Sequence, residues 1–286
     1  MLDVIYDALA CEGISFSGYL EPKAGWQRFC SLRKSAKNSD VYVYIHPSFR
    51  YAKCGEWGVT EKSIFVRMSN EPLTQREREA IRLHKKKEEA QLRAAAAKAK
   101  RIWDSCSDAE PAHPYLVRKG IPPWYARQLD NRLILPVYNV SGQLISLQCI
   151  YPYGKRNKRF MSDGKVSGGF MLLGERITDT VRFAEGYATG MSVYMATGDL
   201  TVVCFSSGNM ESVLKTTKEL FDKRYRVICA DMGKIGIADA IRAGKATGAM
   251  IITPMRRTQN KITDFNDLHV YEGLEAVEGQ MYRYLF

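Results

Sequence analysis

From residue 180 onward, short apolar runs alternate with longer stretches of helical period. Residues 180–184, 201–205, 226–230 and 249–253 are rich in β-branched and aromatic side chains, and each reads as a strand. Residues 188–197, 209–221 and 237–247 lie between them and read as helices. Such alternation predicts a parallel sheet with right-handed crossovers and helices on its faces. Upstream, 132–138 and 144–151 predict two strands joined as a hairpin through Asn139 to Gln143. Residues 78–103 contain neither Gly nor Pro and are rich in Ala, Lys, Glu and Arg, which predicts one long helix. Thr74 and Glu77 have the capping-box spacing at its start. The first seventy residues predict a short helix over 3–12, ended near Gly13, and strands over 41–45 and 63–67. The expected chain is therefore α/β throughout. A small N-terminal α/β module (1–70) is followed by a long basic helix or linker (71–106), a basic α+β subdomain (107–178) and a parallel-sheet domain flanked by helices (179–286).

With 286 residues and 45% hydrophobic content the chain can bury a real core, enough for two or three small domains. No apolar run approaches the roughly 18 residues of a membrane span. The first seven residues carry acids and lack the basic and apolar regions of a secretory signal. A cytoplasmic protein with no membrane partner is expected. The seven cysteines are scattered without a C-x-x-C pair, and the four histidines are dispersed, which argues against a zinc ribbon and a disulfide framework. Cys204 and Cys229 lie inside apolar runs and read as core thiols. The net charge of +11 fits a polyanionic partner without specifying a reaction. In the first module Trp26, Phe29, Tyr51 and Trp57 are interleaved with Arg28, Arg33, Lys34, Lys37, Arg50 and Lys53. That pattern fits bases stacked on aromatics, and equally a small aromatic core solvated by cations. The basic run of the long helix fits a solvated face or a nucleic-acid backbone contact.

Candidate chemistry lies at the ends of the predicted strands. Glu185 follows the run 180–184, Asp231 follows 226–230, and Asp264 and Asp267 lie just before the C-terminal stretch. A carboxylate past an apolar strand lies at the carboxyl edge of a parallel sheet, where open α/β folds bind ligands. Carboxylates converging there would hold Mg²⁺, which prefers oxygen ligands and keeps water and phosphate in its shell. Phosphoryl transfer on a nucleotide or nucleic acid is the expected reaction class. Asp264 and Asp267 also fit a turn or an N-cap. Between 153 and 169 a mixture of Gly, Lys and Arg lets backbone amides and cations approach phosphate closely.

The motifs Phe183-Ala184-Glu185-Gly186-Tyr187-Ala188-Thr189-Gly190, Ser206-Ser207-Gly208-Asn209-Met210, Ala230-Asp231 and Asp264-Phe265-Asn266-Asp267-Leu268-His269 resemble the Toprim domain. That module is shared by bacterial-type primases, topoisomerases and some nucleases. The likeness is to primases of phages and plasmids, because the stretch from Gly154 to Lys165 resembles the basic segment preceding Toprim in them. The resemblance covers roughly residues 107–275. It implies a Toprim-like parallel sheet preceded by a basic primase subdomain. It implies that Glu185 and Asp231 are catalytic, and that Glu185, Asp231, Asp264 and Asp267 bind Mg²⁺ or Mn²⁺. Lys155, Arg156, Lys158, Arg159 and Lys165 would hold nucleotide or template. The implied partners are single-stranded DNA, ribonucleoside triphosphates and a separate replicative helicase, and the implied reaction is synthesis of short RNA primers. Departures are a glycine, Gly233, in place of the second acid of the D-x-D motif, and no zinc module. Two alternatives stay open: a catalytically silent Toprim protein that binds nucleic acid or a replication protein, and a metal-dependent nuclease.

Overall fold

A computed structural model describes residues 2–33, 38–57, 60, 63–69, 74–154, 157–176, 178–255 and 261–282, and for Glu77 the backbone alone. Contacts divide the chain into two compact units, Met1–Ala90 and Gln91–Phe286. Lys34, Lys37, Lys155, Arg156 and the side chain of Glu77 lie outside the described residues.

The first unit opens with α1 (Asp3–Cys11), followed by β1 (Phe16–Ser17), β2 (Gly25–Ser31), β3 (Val41–Ile45), β4 (Tyr51–Glu56) and β5 (Ile64–Arg67). The strands form one antiparallel sheet in sequential order. Period-two alternation gives this sheet an inner and an outer face. Val41, Val43, Ile45, Ala52, Cys54 and Val66 face inward and pack with Ile5 and Leu9 of α1. Hairpins β2–β3 and β4–β5 place two strands, β2 and β4, where the sequence pattern predicted none. Their outward positions are polar or aromatic, so neither reads as an apolar run. The long helix α2 (Gln75–Ser105) contains the predicted 78–103, and its residues fall in both units.

The second unit contains two sheets. One is antiparallel and built from β6 (Ser107–Asp108), β7 (Arg127–Leu129), β8 (Arg132–Tyr138), β9 (Leu144–Ile150) and β10 (Lys158–Phe160); α3 (Pro114–Lys119) lies between the first two strands in sequence. The other sheet has β11 (Met171–Leu173), β12 (Thr180–Ala184), β13 (Thr201–Val203), β14 (Tyr225–Cys229) and β15 (Met250–Ile252), in the order β11-β13-β12-β14-β15. Its last four strands are mutually parallel, as the alternation predicts, whereas β11 is an antiparallel edge strand. The helices are α4 (Tyr187–Thr197), α5 (Ser207–Thr216), α6 (Lys234–Thr247), α7 (Phe265–Glu272) and α8 (Leu274–Met281).

Both faces of the parallel sheet are covered, which is why its strands read as continuous apolar runs. Val181, Phe183, Val202 and Ile228 pack with Met210, Val213, Ala240 and Ala243 of α5 and α6. Val227, Cys229 and Ile252 pack on the other face with Val193 of α4 and with α7 and α8 through Phe265, Leu268 and Val277. A third cluster runs from Leu133, Leu135 and Val137 of the antiparallel sheet through Leu173 to Tyr187, Met191 and Val203. One core thus crosses residue 178, where the sequence pattern suggested a boundary. Arg182 is the one cation among the β12 residues and is 1% exposed; its Nε donates to Asp199 Oδ2 at 2.8 Å.

Helix α4 lies against the sheet through Gly190. A Cβ there would stand 2.9 Å from Val203 Cγ2 and 3.2 Å from Leu173 Cδ1, closer than side chains tolerate. Gly190→Val should lower stability by about 1–3 kcal/mol through overpacking. A thermal unfolding midpoint equal to that of the wild-type chain would show that α4 can lift without cost.

Candidate active site

The parallel pairing of β12 with β14 aligns Ala184 with Cys229. Glu185 and Asp231 follow those residues directly or after one more, so both emerge at the same carboxyl edge. Asp264 joins them from α7, where it is the N-cap and accepts the Asp267 backbone N–H at 2.7 Å. The Met232 N–H donates to the Thr263 carbonyl at 2.7 Å, tying the segment after β14 to the segment before α7. Asp267 accepts from the Thr263 N–H and hydroxyl, and its Oδ1 lies 3.8 Å from Lys119 Nζ. The N-cap reading of Asp264 and its place among the acids are therefore both realised.

Burial and mutual repulsion set the electrostatics. Burial pushes the Asp231 carboxyl up to about 7, and the nearby Glu185 and Asp264 charges push in the same direction. Glu185 is also raised, mainly by burial; Lys158 and a hydrogen bond from the Ser207 backbone N–H oppose that rise. Asp264 is raised by burial as well, against the hydrogen bond from the Asp267 N–H. Like charges brought together in a half-buried place raise one another's pKa in this way. Asp231 Oδ1 is buried without a hydrogen-bond partner among the described residues.

Lys158 is the cation that the fold brings to these acids. It starts β10, and its Nζ would stand 3.2 Å from a Cβ at Gly186, the residue after Glu185. Phe160 shares its strand face and meets Phe205 edge-on at 5.9 Å between ring centroids. Arg159 sits between them in the strand and lies over the Tyr151 ring at 5.7 Å. Lys165 is exposed in the loop before β11. Of the described basic candidates, Lys158 alone shows an interaction with the acids.

Two groups at this edge have no role assigned from the sequence, although Ser207 lies in one of the Toprim-like motifs. The Ser207 backbone N–H opens α5 and reaches Glu185 only because β13 pairs beside β12. Lys119 ends α3 and is brought near Asp267 across almost 150 residues, with its carbonyl accepting from Asn266 Nδ2 at 2.7 Å. Asp239 of α6 also lies close enough to raise Glu185, but it accepts from the Ser207 hydroxyl at 2.6 Å and pairs with Arg242 at 2.7 Å.

The donor set fits a hard divalent cation in its chemistry: carboxyl oxygens, a buried orphan oxygen and like charge that Lys158 offsets only in part. Among the described residues, no three His, Cys, Asp or Glu side chains already stand together at metal-binding spacing.

No protein-family model matches the chain. Its sequence is 29% identical to a DNA primase TraC of Escherichia coli over 183 residues, covering 60% of this chain and 12% of that protein. A second Escherichia coli DNA primase TraC is 29% identical over 186 residues, covering 58% and 17%. The chain thus spans less than a fifth of the length of the curated relatives it matches. Among solved structures, it overlays the primase fragment of the bacteriophage T7 primase-helicase protein with a TM-score of 0.45 and 11% identity, covering 62% of this chain and 80% of that one. The DnaG primase catalytic domain bound to single-stranded DNA gives 0.48 and 13%, covering 68% and 80%. These overlays are too loose to carry weight alone. The chain is thus a mixed α/β protein whose sequence resembles DNA primases.

Proposed function

We propose that this chain is a primase-like nucleotidyltransferase whose Toprim-type edge binds single-stranded DNA and joins ribonucleotides into short primers. The observation that carries the reading is the convergence of Glu185, Asp231 and Asp264 with Lys158 at one sheet edge. The likeness to DNA primase TraC supports it. In such a reaction the 3′ hydroxyl of one nucleotide attacks the α-phosphorus of the next, and pyrophosphate leaves. Lys158, beside the acids, would hold a phosphate. Glu185, whose carboxyl burial raises above the ordinary range, would take the proton of the attacking hydroxyl. Mg²⁺ or Mn²⁺ held by Asp231 with Glu185 and Asp264 would supply charge stabilisation at the transferring phosphate. Asp267, through the α7 cap and Thr263, positions Asp264. A separate helicase partner and a cytoplasmic setting accompany the proposal; among the described residues no helix is long and apolar enough to cross a membrane.

A second reading rests on Gly233. With glycine at that position, the edge offers fewer ligands than the D-x-D pattern supplies, which favours a catalytically silent nucleic-acid-binding protein.

Template-dependent incorporation of labelled ribonucleotides on single-stranded DNA, with Mg²⁺ or Mn²⁺, separates the two. Short primers from the wild-type chain are expected, reduced about 100-fold or more by Glu185→Ala and by Asp231→Ala. Full activity in both variants would place the chemistry elsewhere. No product from the wild type, with tight salt-sensitive DNA binding, would select the second reading.

The protonation of Asp231 makes a further prediction. The folded chain holds this proton up to about pH 7, whereas an unfolded Asp releases it near 3.8. Between those limits the folded state binds more protons, so this contribution to stability falls as pH rises through the window and is flat above it. Asp231→Asn should therefore raise the melting temperature more at pH 8 than at pH 4.5. Mg²⁺ should stabilise the wild type more at pH 8 than at pH 5.5, because it competes with the proton. Equal shifts at both pH values would remove Asp231 from the site.

Gly233 is the N-cap of α6, its φ of −63° suits any residue, and a Cβ there would meet nothing within 4 Å. Asp is a preferred N-cap. Gly233→Asp should fold normally and tighten Mg²⁺ binding in titration calorimetry; unchanged affinity would mean the ion binds away from this loop.

A further inference from the structure

The outer face of the sheet β1–β5 carries a chemistry that the proposed active site does not use. Trp26 and Arg28 of β2, Tyr42 of β3, Lys53 of β4 and Phe65 of β5 all point outward, because each alternates with the inward positions of its strand. Register aligns them into rows: Arg28 opposite Tyr42, Tyr42 opposite Gly55, and Lys53 opposite Phe65. Trp57, just after β4, closes one end of the face. Trp26 is 59% exposed, Trp57 53% and Phe65 61%. Three large rings left in water on one sheet face are unusual, since such residues are mainly core and interface material.

The rings are also arranged. The Arg28 guanidinium lies 5.8 Å from the Trp26 centroid, 5.9 Å from Tyr42 and 5.4 Å from Trp57. Trp26 and Tyr42 stand 5.9 Å apart, and Tyr42 and Trp57 5.1 Å apart. Gly55 makes room for this: a Cβ there would come within 2.6 Å of the Tyr42 hydroxyl. Among the described residues cations outnumber acids on this face, with Asp40 at its end beside Trp57 through the Trp57 N–H to Asp40 carbonyl bond. Arg28, Lys53 and Arg67 are exposed on this face, and the acid of these strands, Glu56, is buried on the other. An acid of α2, Glu88, acts on Tyr44.

We propose that this face is a platform for single-stranded nucleic acid, separate from the acidic edge of the second unit. Exposed aromatics on a four-strand span, about 14 Å at the usual strand spacing, match the stacking of two or three unpaired bases. Cations between the rings meet the phosphates. A second copy of the chain is a poorer occupant, because it would bring the same cations to the contact.

The test uses the full chain, without Mg²⁺ or nucleotides, so that it does not depend on primer synthesis. Fluorescence anisotropy of labelled oligo(dT) and oligo(U) reads the affinity, and the two arms tell DNA from RNA. Trp26→Ala with Trp57→Ala should weaken binding about 30-fold, at roughly 1 kcal/mol for each stacked base. Trp26→Phe with Trp57→Phe should largely retain it and serves as the folding control. Arg28→Ala with Lys53→Ala should reduce the slope of log affinity against log salt by about 1.4. Unchanged affinity in the alanine pair overturns the proposal. So does a wild-type dimer in sedimentation that this pair dissolves while oligonucleotide binding persists.

Discussion

The parallel register of β12 against β14 is the constraint on which the acidic edge rests. It is fixed from both faces, by Val181, Phe183 and Ile228 against α5 and α6 and by Cys229 and Val227 against α4, α7 and α8. A slip of one residue would carry each side chain to the opposite face and separate Glu185 from Asp231. The acids cannot hold this arrangement themselves, since they repel. The hydrophobic packing of two helical layers therefore stabilises a placement that electrostatics opposes. Lys158, the Ser207 N–H and the α7 cap offset part of that opposition.

Beneath the edge, the sheet contains a second electrostatic device of a different kind. Arg182 and Asp199 form a nearly dry ion pair, with Arg182 Nη1 also reaching the Met281 sulfur of α8. Desolvation offsets much of the attraction in such pairs, so its value lies less in net stability than in geometry. It joins the middle of β12 to the loop before β13 and to the last helix. Removing either partner would strand a charge in the core, whereas the Asp231 charge at the edge is free to be neutralised by a proton or a cation.

Legibility in the sequence followed the physical origin of each feature. Strands covered on both faces, such as β12 and β14, were readable because burial makes them apolar throughout. Glu185 and Asp231 stood out because they end those runs. Strands β2 and β4 escaped notice because their outward side chains are polar or aromatic, and β11 because three residues make no pattern. Of the four aromatics marked as base stackers or core, Phe29 packs inward beside the core while Trp26 and Trp57 remain exposed. The roles of Ser207 and Lys119 are set by tertiary contacts, to which local pattern is blind. Lys158, Arg159 and Lys165 look equivalent in sequence, yet strand alternation sends Lys158 to the acids and Arg159 to Tyr151.

The glycine at position 233 acquires a physical meaning from its surroundings. Asp239, the nearby acid of α6, is committed to Ser207 and Arg242, and releasing it would leave Arg242 without that partner. Any cation held there as proposed would therefore rest on Glu185, Asp231 and Asp264. Mg²⁺ tolerates a short list of protein ligands, because it keeps several waters and takes oxygens from the phosphates it serves. If the edge takes the ion as proposed, a reduced acidic set would shift the burden of holding it toward the nucleotide. Under the proposed function, affinity for metal and affinity for triphosphate would be one coupled quantity at this edge, with Lys158 the cation beside the acids.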